Sequence, residues 1–140
     1  MELDFLNSGL VTYNLGGKVE VIYNPTDMVF LDSIYETFAD LEEKHKEFQE
    51  RAKKTTDTRE IFALARELDT DMRERINGIF GKDVCTPLYG KVSVYASDGE
   101  GLPLWASLLL AVFDTMEVSV NEAQEKSRAK IEKYTKKYHR

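Results

Sequence analysis

Apolar and polar side chains alternate in two short runs near the start of the chain, Leu10 to Leu15 and Lys18 to Tyr23, with Gly16-Gly17 between them. A period of two over β-branched and aromatic residues predicts strands, and a glycine pair supplies the positive φ that a tight turn needs. The expectation is a β-hairpin over residues 10–23. Val19, Val21 and Tyr23 fall on the face that packs inward, and Glu20 and Ile22 on the other, with Ile22 only partly exposed.

After Tyr23 the period lengthens. Leu31, Ile34, Phe38, Leu41, His45, Phe48 and Ala52 recur at steps of three and four, which draws one narrow stripe along a helix. Asn24 as a cap and Pro25 in the first turn place its start, giving a helix over 25–54. Asp57 with Glu60 three residues on has the form of a capping box, and Gly81 marks an end, so a second helix spans 58–80. Its stripe includes Ile61, Leu64, Leu68, Met72, Ile76 and Ile79, while Arg59, Glu67, Asp71 and Arg73 are expected in water. A short break between two long helices implies an antiparallel helical hairpin.

Residues Asp83 to Tyr89 suit one short helical turn, and Val92 to Tyr95 a third strand or an extended connector. The turn Asp98 to Gly101 precedes Pro103, which opens a last helix over 103–138. That helix is apolar on every side from Leu104 to Phe113 and then narrows to Met116, Val120, Ala123, Ser127, Ile131, Tyr134 and Tyr138. A thin stripe gains little burial within its own chain, so residues 123–138 are expected to pack on another subunit or to fray. The fold class is mainly α with a small N-terminal β-hairpin (α+β), in a single domain over 1–140.

Composition narrows the class further. At 140 residues, 42% apolar and 31% charged, the chain is too hydrophobic for a disordered segment and fits one core. Cys85 is the single cysteine, which excludes an intrachain disulfide and points to a reducing, cytoplasmic setting. The start, MELDFLNSGL, lacks the basic and continuously apolar form of a signal peptide. Leu102 to Phe113 falls short of the roughly 18 apolar residues of a membrane span and is expected to be a buried helix. The net charge of −6 is unevenly placed, because residues 126–140 hold seven basic and one acidic residue and the rest holds 12 basic and 24 acidic. A body at −12 with a tail at +6 suggests that the tail meets an acidic surface, such as a neighbouring copy.

No constellation supports catalysis, a cofactor or a metal. Glu42-x-x-His45 is half of a di-metal carboxylate pattern whose second half is missing, which favours a packed histidine. The carboxylates at 42, 43, 47 and 50 and at 67, 69, 71 and 74 are interleaved with Lys and Arg, as on a solvated helix face. Cys85 has no histidine at a spacing that would make it a nucleophile, and the glycine pairs match no phosphate-binding loop. The ending KSRAKIEKYTKKYHR combines cations with Tyr134 and Tyr138, ingredients of nucleic-acid contact, but cations also suit the end of any helix.

The segments INGIFGKDVCTPLYG, VSVYASDGEGLPLWASLLLAVFDTM and IEKYTKKY resemble a family of small proteins encoded beside tail genes in Firmicutes phages and prophages. The likeness runs over nearly the whole chain and contains no catalytic motif. In gene position and size that family is similar to tail assembly chaperones, helical proteins that bind the tape-measure protein while the tail tube polymerises. The resemblance implies a non-enzymatic tail assembly protein of chaperone or adaptor type in the host cytoplasm, with a tape-measure or tail-tube partner, self-association and no membrane. A structural part of the tail or connector, retained in the virion, and a regulator binding nucleic acid through the basic helix are the alternatives. The side chains expected to meet a partner are Leu31, Phe38, Phe48, Ile131, Tyr134 and Tyr138, the first three doubling as candidates for the core.

Overall fold

The computed structural model describes residues 1–3, 5 and 8–138, with side chains through residue 136. Strands β1 (Val11–Leu15) and β2 (Val19–Tyr23) pair antiparallel, with Tyr13 opposite Val21 and Thr12 opposite Ile22. The Lys18 N–H closes on the Leu15 carbonyl at 3.0 Å, and Gly16 and Gly17 take φ of 58° and 71°, which a side chain would oppose. Val21 and Tyr23 are buried. Ile22 is 63% exposed, more than the partial exposure expected. Tyr13 stacks on Tyr23 and Tyr23 on Phe30, with centroids 4.5 and 4.8 Å apart, so the hairpin is joined to the helices through aromatic faces. Tyr23 and Thr115 share a hydroxyl–hydroxyl bond of 2.7 Å.

Helix α1 (Met28–Lys54) starts three residues later than the Asn24-Pro25 pair suggests. Asn24 Oδ1 accepts the N–H and hydroxyl of Thr26 and forms a turn, and the cap is Asp27, whose Oδ1 accepts from Val29 and Phe30 N–H at 3.0 and 3.4 Å. Helix α2 (Thr58–Phe80) has the expected bounds, with Asp57 accepting from Arg59 N–H and Gly81 at φ 67° after its end. The box is not closed as Asp57 and Glu60 alone would close it. Thr55 accepts the Asp57 N–H and donates its hydroxyl to Glu60 Oε2, bridging the two. Asp40 of α1 pairs with Arg75 of α2 at 3.2 Å, and Phe48 lies beside Leu64, as an antiparallel hairpin requires.

A short helix, α3 (Cys85–Tyr89), follows. Residues 92–95 form turns and no strand; the one bridge in this stretch joins Ser97 to Pro103. Backbone groups here are satisfied by side chains instead. Asn77 Oδ1 accepts from Val84 and Cys85 N–H, Asp83 from Thr86 N–H, and Asp69 from Val94 N–H. Arg73, expected in water, is drawn inward: Nε reaches Asp69 at 3.0 Å and the guanidinium donates to the Gly90 and Val92 carbonyls at 2.8 Å.

Helix α4 (Leu104–Tyr138) runs for 35 residues. By length and composition it is apolar enough to cross a membrane, and in its most apolar part Trp105, Leu109, Val112 and Met116 are buried, with Trp105 and Phe113 packed on Phe38 of α1. Ile34, Leu41, Met72 and Ile76 complete that core. Beyond Met116 none of the described residues is buried.

Candidate functional site

The position of α4 is set by its first half. Trp105 N–H and Leu104 N–H bond to the Val94 and Ala96 carbonyls, and Asp98 staples the preceding turn by accepting from Glu100 and Leu102 N–H and from the Ser107 hydroxyl. The Ser107 bond, followed by the two backbone N–H groups, holds the Asp98 carboxyl below its usual range. With the first half anchored in this way, the second half leaves the body as a continuation of the same helix.

At 100° per residue, Val120, Ala123, Ser127, Ile131 and Tyr134 fall on one side of that helix. Val120 and Ala123 are half-buried, whereas Ile131 and Tyr134 are 60% and 49% exposed. The row borders an open groove of about 850 Å³ whose other wall is Thr26 and Met28 at the start of α1. Met28 and the adjacent Val29 are themselves exposed, at 61% and 79%. Their signal in the sequence was an apolar pair directly after the Asp27 cap and off the α1 stripe.

Of the side chains expected to meet a partner, Leu31, Phe38 and Phe48 pack against the chain's own core. Phe38 sits edge-on to Trp105 at 5.0 Å and Phe48 lies against Tyr95 at 5.7 Å. Ile131 and Tyr134 stand on the projecting helix and are exposed. The Tyr138 backbone belongs to α4, but its side chain, like all of His139, lies outside the described residues.

The groups with displaced proton affinity are tied into the fold. His45 is half-buried, its Nδ1 facing Trp105 Nε1–H at 3.4 Å, and burial lowers its pKa. Burial pushes the Cys85 thiol up to about 12, so it is a protonated, packed group at neutral pH. Tyr89 is also raised to about 12 by burial and donates its hydroxyl to the Leu104 carbonyl. Among the described residues no three His, Cys, Asp or Glu side chains converge on a point where they could hold a metal ion.

No known family, curated protein or solved structure matches this chain. The distal half of α4 presents Ile131 and Tyr134 to solvent among exposed charged side chains.

Proposed function

We propose that this chain is a non-enzymatic assembly protein of chaperone or adaptor type, which binds a partner protein along the distal half of α4. One observation carries the reading: α4 leaves the core after Met116 with an apolar row that its own chain covers only at Val120 and Ala123. A projecting helical segment draws little stability from its backbone hydrogen bonds alone, and apolar burial against a partner supplies the remainder. The phage-tail setting, with a tape-measure or tail-tube protein as partner, rests on the resemblance of residues 76–90, 92–116 and 131–138.

The test is co-purification of the full chain with the tape-measure and tail-tube proteins, with light-scattering masses of each alone and together. A complex weakened at least about tenfold by Ile131→Asp or Tyr134→Asp supports the reading. Recovery of the chain in washed mature particles, with no soluble complex, would make it a structural part of the virion. Retention on DNA that falls steeply with salt and disappears on removing residues 126–140 would replace protein binding with nucleic-acid binding.

A further inference from the structure

We propose that the row on α4 takes a helix of another protein whose own apolar seam is flanked by carboxylates, so that α4 supplies the basic member of a two-helix pair. This deepens the reading of the row as a docking surface and rests on it. The row has the form of a seam. Val120, Ala123, Ser127, Ile131 and Tyr134 follow one another at steps of three and four, and at about 100° per residue they stay within an arc of about 80°. An arc that narrow suits the contact line between two paired helices, whereas a helix packed on a core or laid in a bilayer surface presents an apolar face of more than about 100°. From Val120 to Ile131 the row is also one side of a groove, with Thr26 and Met28 opposite, and a groove receives a rod in preference to a flat lipid surface.

Charge decides the occupant. With Ser127 at the origin of the helical wheel, Lys130, Lys126 and Lys133 lie at about 60°, 100° and 120° on one side of the row, and Arg128 at about 100° on the other. All four side chains are exposed. Glu122, Glu125 and Glu132 are turned farther round, by about 140° to 160°, so a helix lying on the row meets cations first. Lys126 and Lys130 immediately precede Ser127 and Ile131 of the seam, and Lys137 precedes Tyr138 in the same way; from these places paired helices form the interhelical ion pairs that set partner choice. A second copy of this chain offers those lysines more lysines when antiparallel, and when parallel it offers the other flank, Gln124, Arg128 and Thr135, with no carboxylate. A nucleic-acid backbone would satisfy the cations and leave Val120, Ala123 and Ile131 uncovered. An acidic helix with its own apolar seam satisfies both the cations and the row.

The experiment uses the full chain and two synthetic amphipathic helices of about four turns that share one seam of Leu and Ala, the first flanked throughout by Glu and the second by Lys. Titration calorimetry at low salt should show the Glu-flanked helix bound at least about tenfold more tightly than the Lys-flanked one, with the difference shrinking as salt rises. Lys126→Glu, Lys130→Glu and Lys133→Glu together should reverse that preference, and Ile131→Asp should abolish binding of both helices. A reversed preference is a gain of binding, which a misfolded chain would not give, and none of the four residues is in the core. No binding of either helix, equal binding of the two, or a preference that the triple variant leaves unchanged would overturn the proposal. Tighter binding to anionic vesicles or to duplex DNA than to the Glu-flanked helix, lost in the triple variant, would give the row to a lipid surface or to nucleic acid and overturn it as well. A tape-measure or tail-tube protein that co-purifies through Ile131 and Tyr134 and is still held by the triple variant overturns the acidic partner while leaving the proposed function standing.

Discussion

Asp69 Oδ1 accepts the Val94 N–H at 2.8 Å while Oδ2 receives Arg73 Nε, and the Arg73 guanidinium goes on to two carbonyls of the following segment. In sequence both residues belong to a charged helix face, and nothing in their i, i+4 spacing separates a solvated pair from one that fastens a connector. Their partners are backbone atoms 17 to 25 residues away. Arg73→Ala removes three bonds from a side chain that is 18% exposed, so a stability loss of about 2–3 kcal/mol is expected in urea unfolding. Arg73→Lys should recover only a minor part, because an ammonium cannot reproduce the planar fork. His45 gives a second residue-level expectation. Burial holds its pKa below the ordinary 6.5, so the unfolded chain takes up the proton more readily than the folded one. The stability this neutral ring contributes is complete above pH 6.5 and is lost as pH falls through and below that value. Protonation also removes the acceptor that Trp105 uses, and Trp105 is the chain's single tryptophan. Its emission should change on acidification below pH 6.5, and His45→Gln should remove that step while leaving carboxylate titrations at lower pH in place.

Among the elements, those built on a repeated apolar spacing were legible. The hairpin, α1, α2 and the two regimes of α4 follow from Val21 and Tyr23, from Ile34 and Leu41, and from Met72 and Ile76, because burial of one face requires that periodicity. The ends and the connector were less so. Asn24 and Asp27 are both good caps, and the hydrogen bonds of Asn24 to Thr26 decide for Asp27. Asp27→Ala should therefore lower stability by about 1 kcal/mol in chemical unfolding, since it leaves the Val29 and Phe30 N–H groups without their side-chain acceptor. Residues 90–103 carry strand-like composition at Val92 and Val94, yet among the described residues they pair with neither strand of the hairpin. Asp69, Arg73 and Asp98 satisfy their backbone instead, and side-chain-to-backbone bonding of that kind has no period to detect.

For the whole molecule, the apolar stripes were legible in the sequence and what covers them was not. A stripe on a helix looks the same whether its cover is in the same chain or another. Leu31, Phe38 and Phe48 found theirs within the chain, while Ile131 and Tyr134 did not. Opposed protection along α4 should make the division measurable. In dilute protein, amides of residues 124–136 should exchange with solvent orders of magnitude faster than those of 105–116. Uniform slow exchange along the helix in dilute protein would contradict a projecting second half.

The continuity of α4 across Met116 makes the distal surface sensitive to counting. One residue inserted between Met116 and Val120 advances everything beyond it by about 1.5 Å and turns it by about 100°, carrying Ile131 and Tyr134 away from the Met28 side. Four inserted residues nearly restore the bearing, and eleven restore it almost fully. The chain can thus lengthen this arm without losing its aim only in whole-turn steps, and single-residue changes of length in this stretch should be far more damaging than most substitutions there.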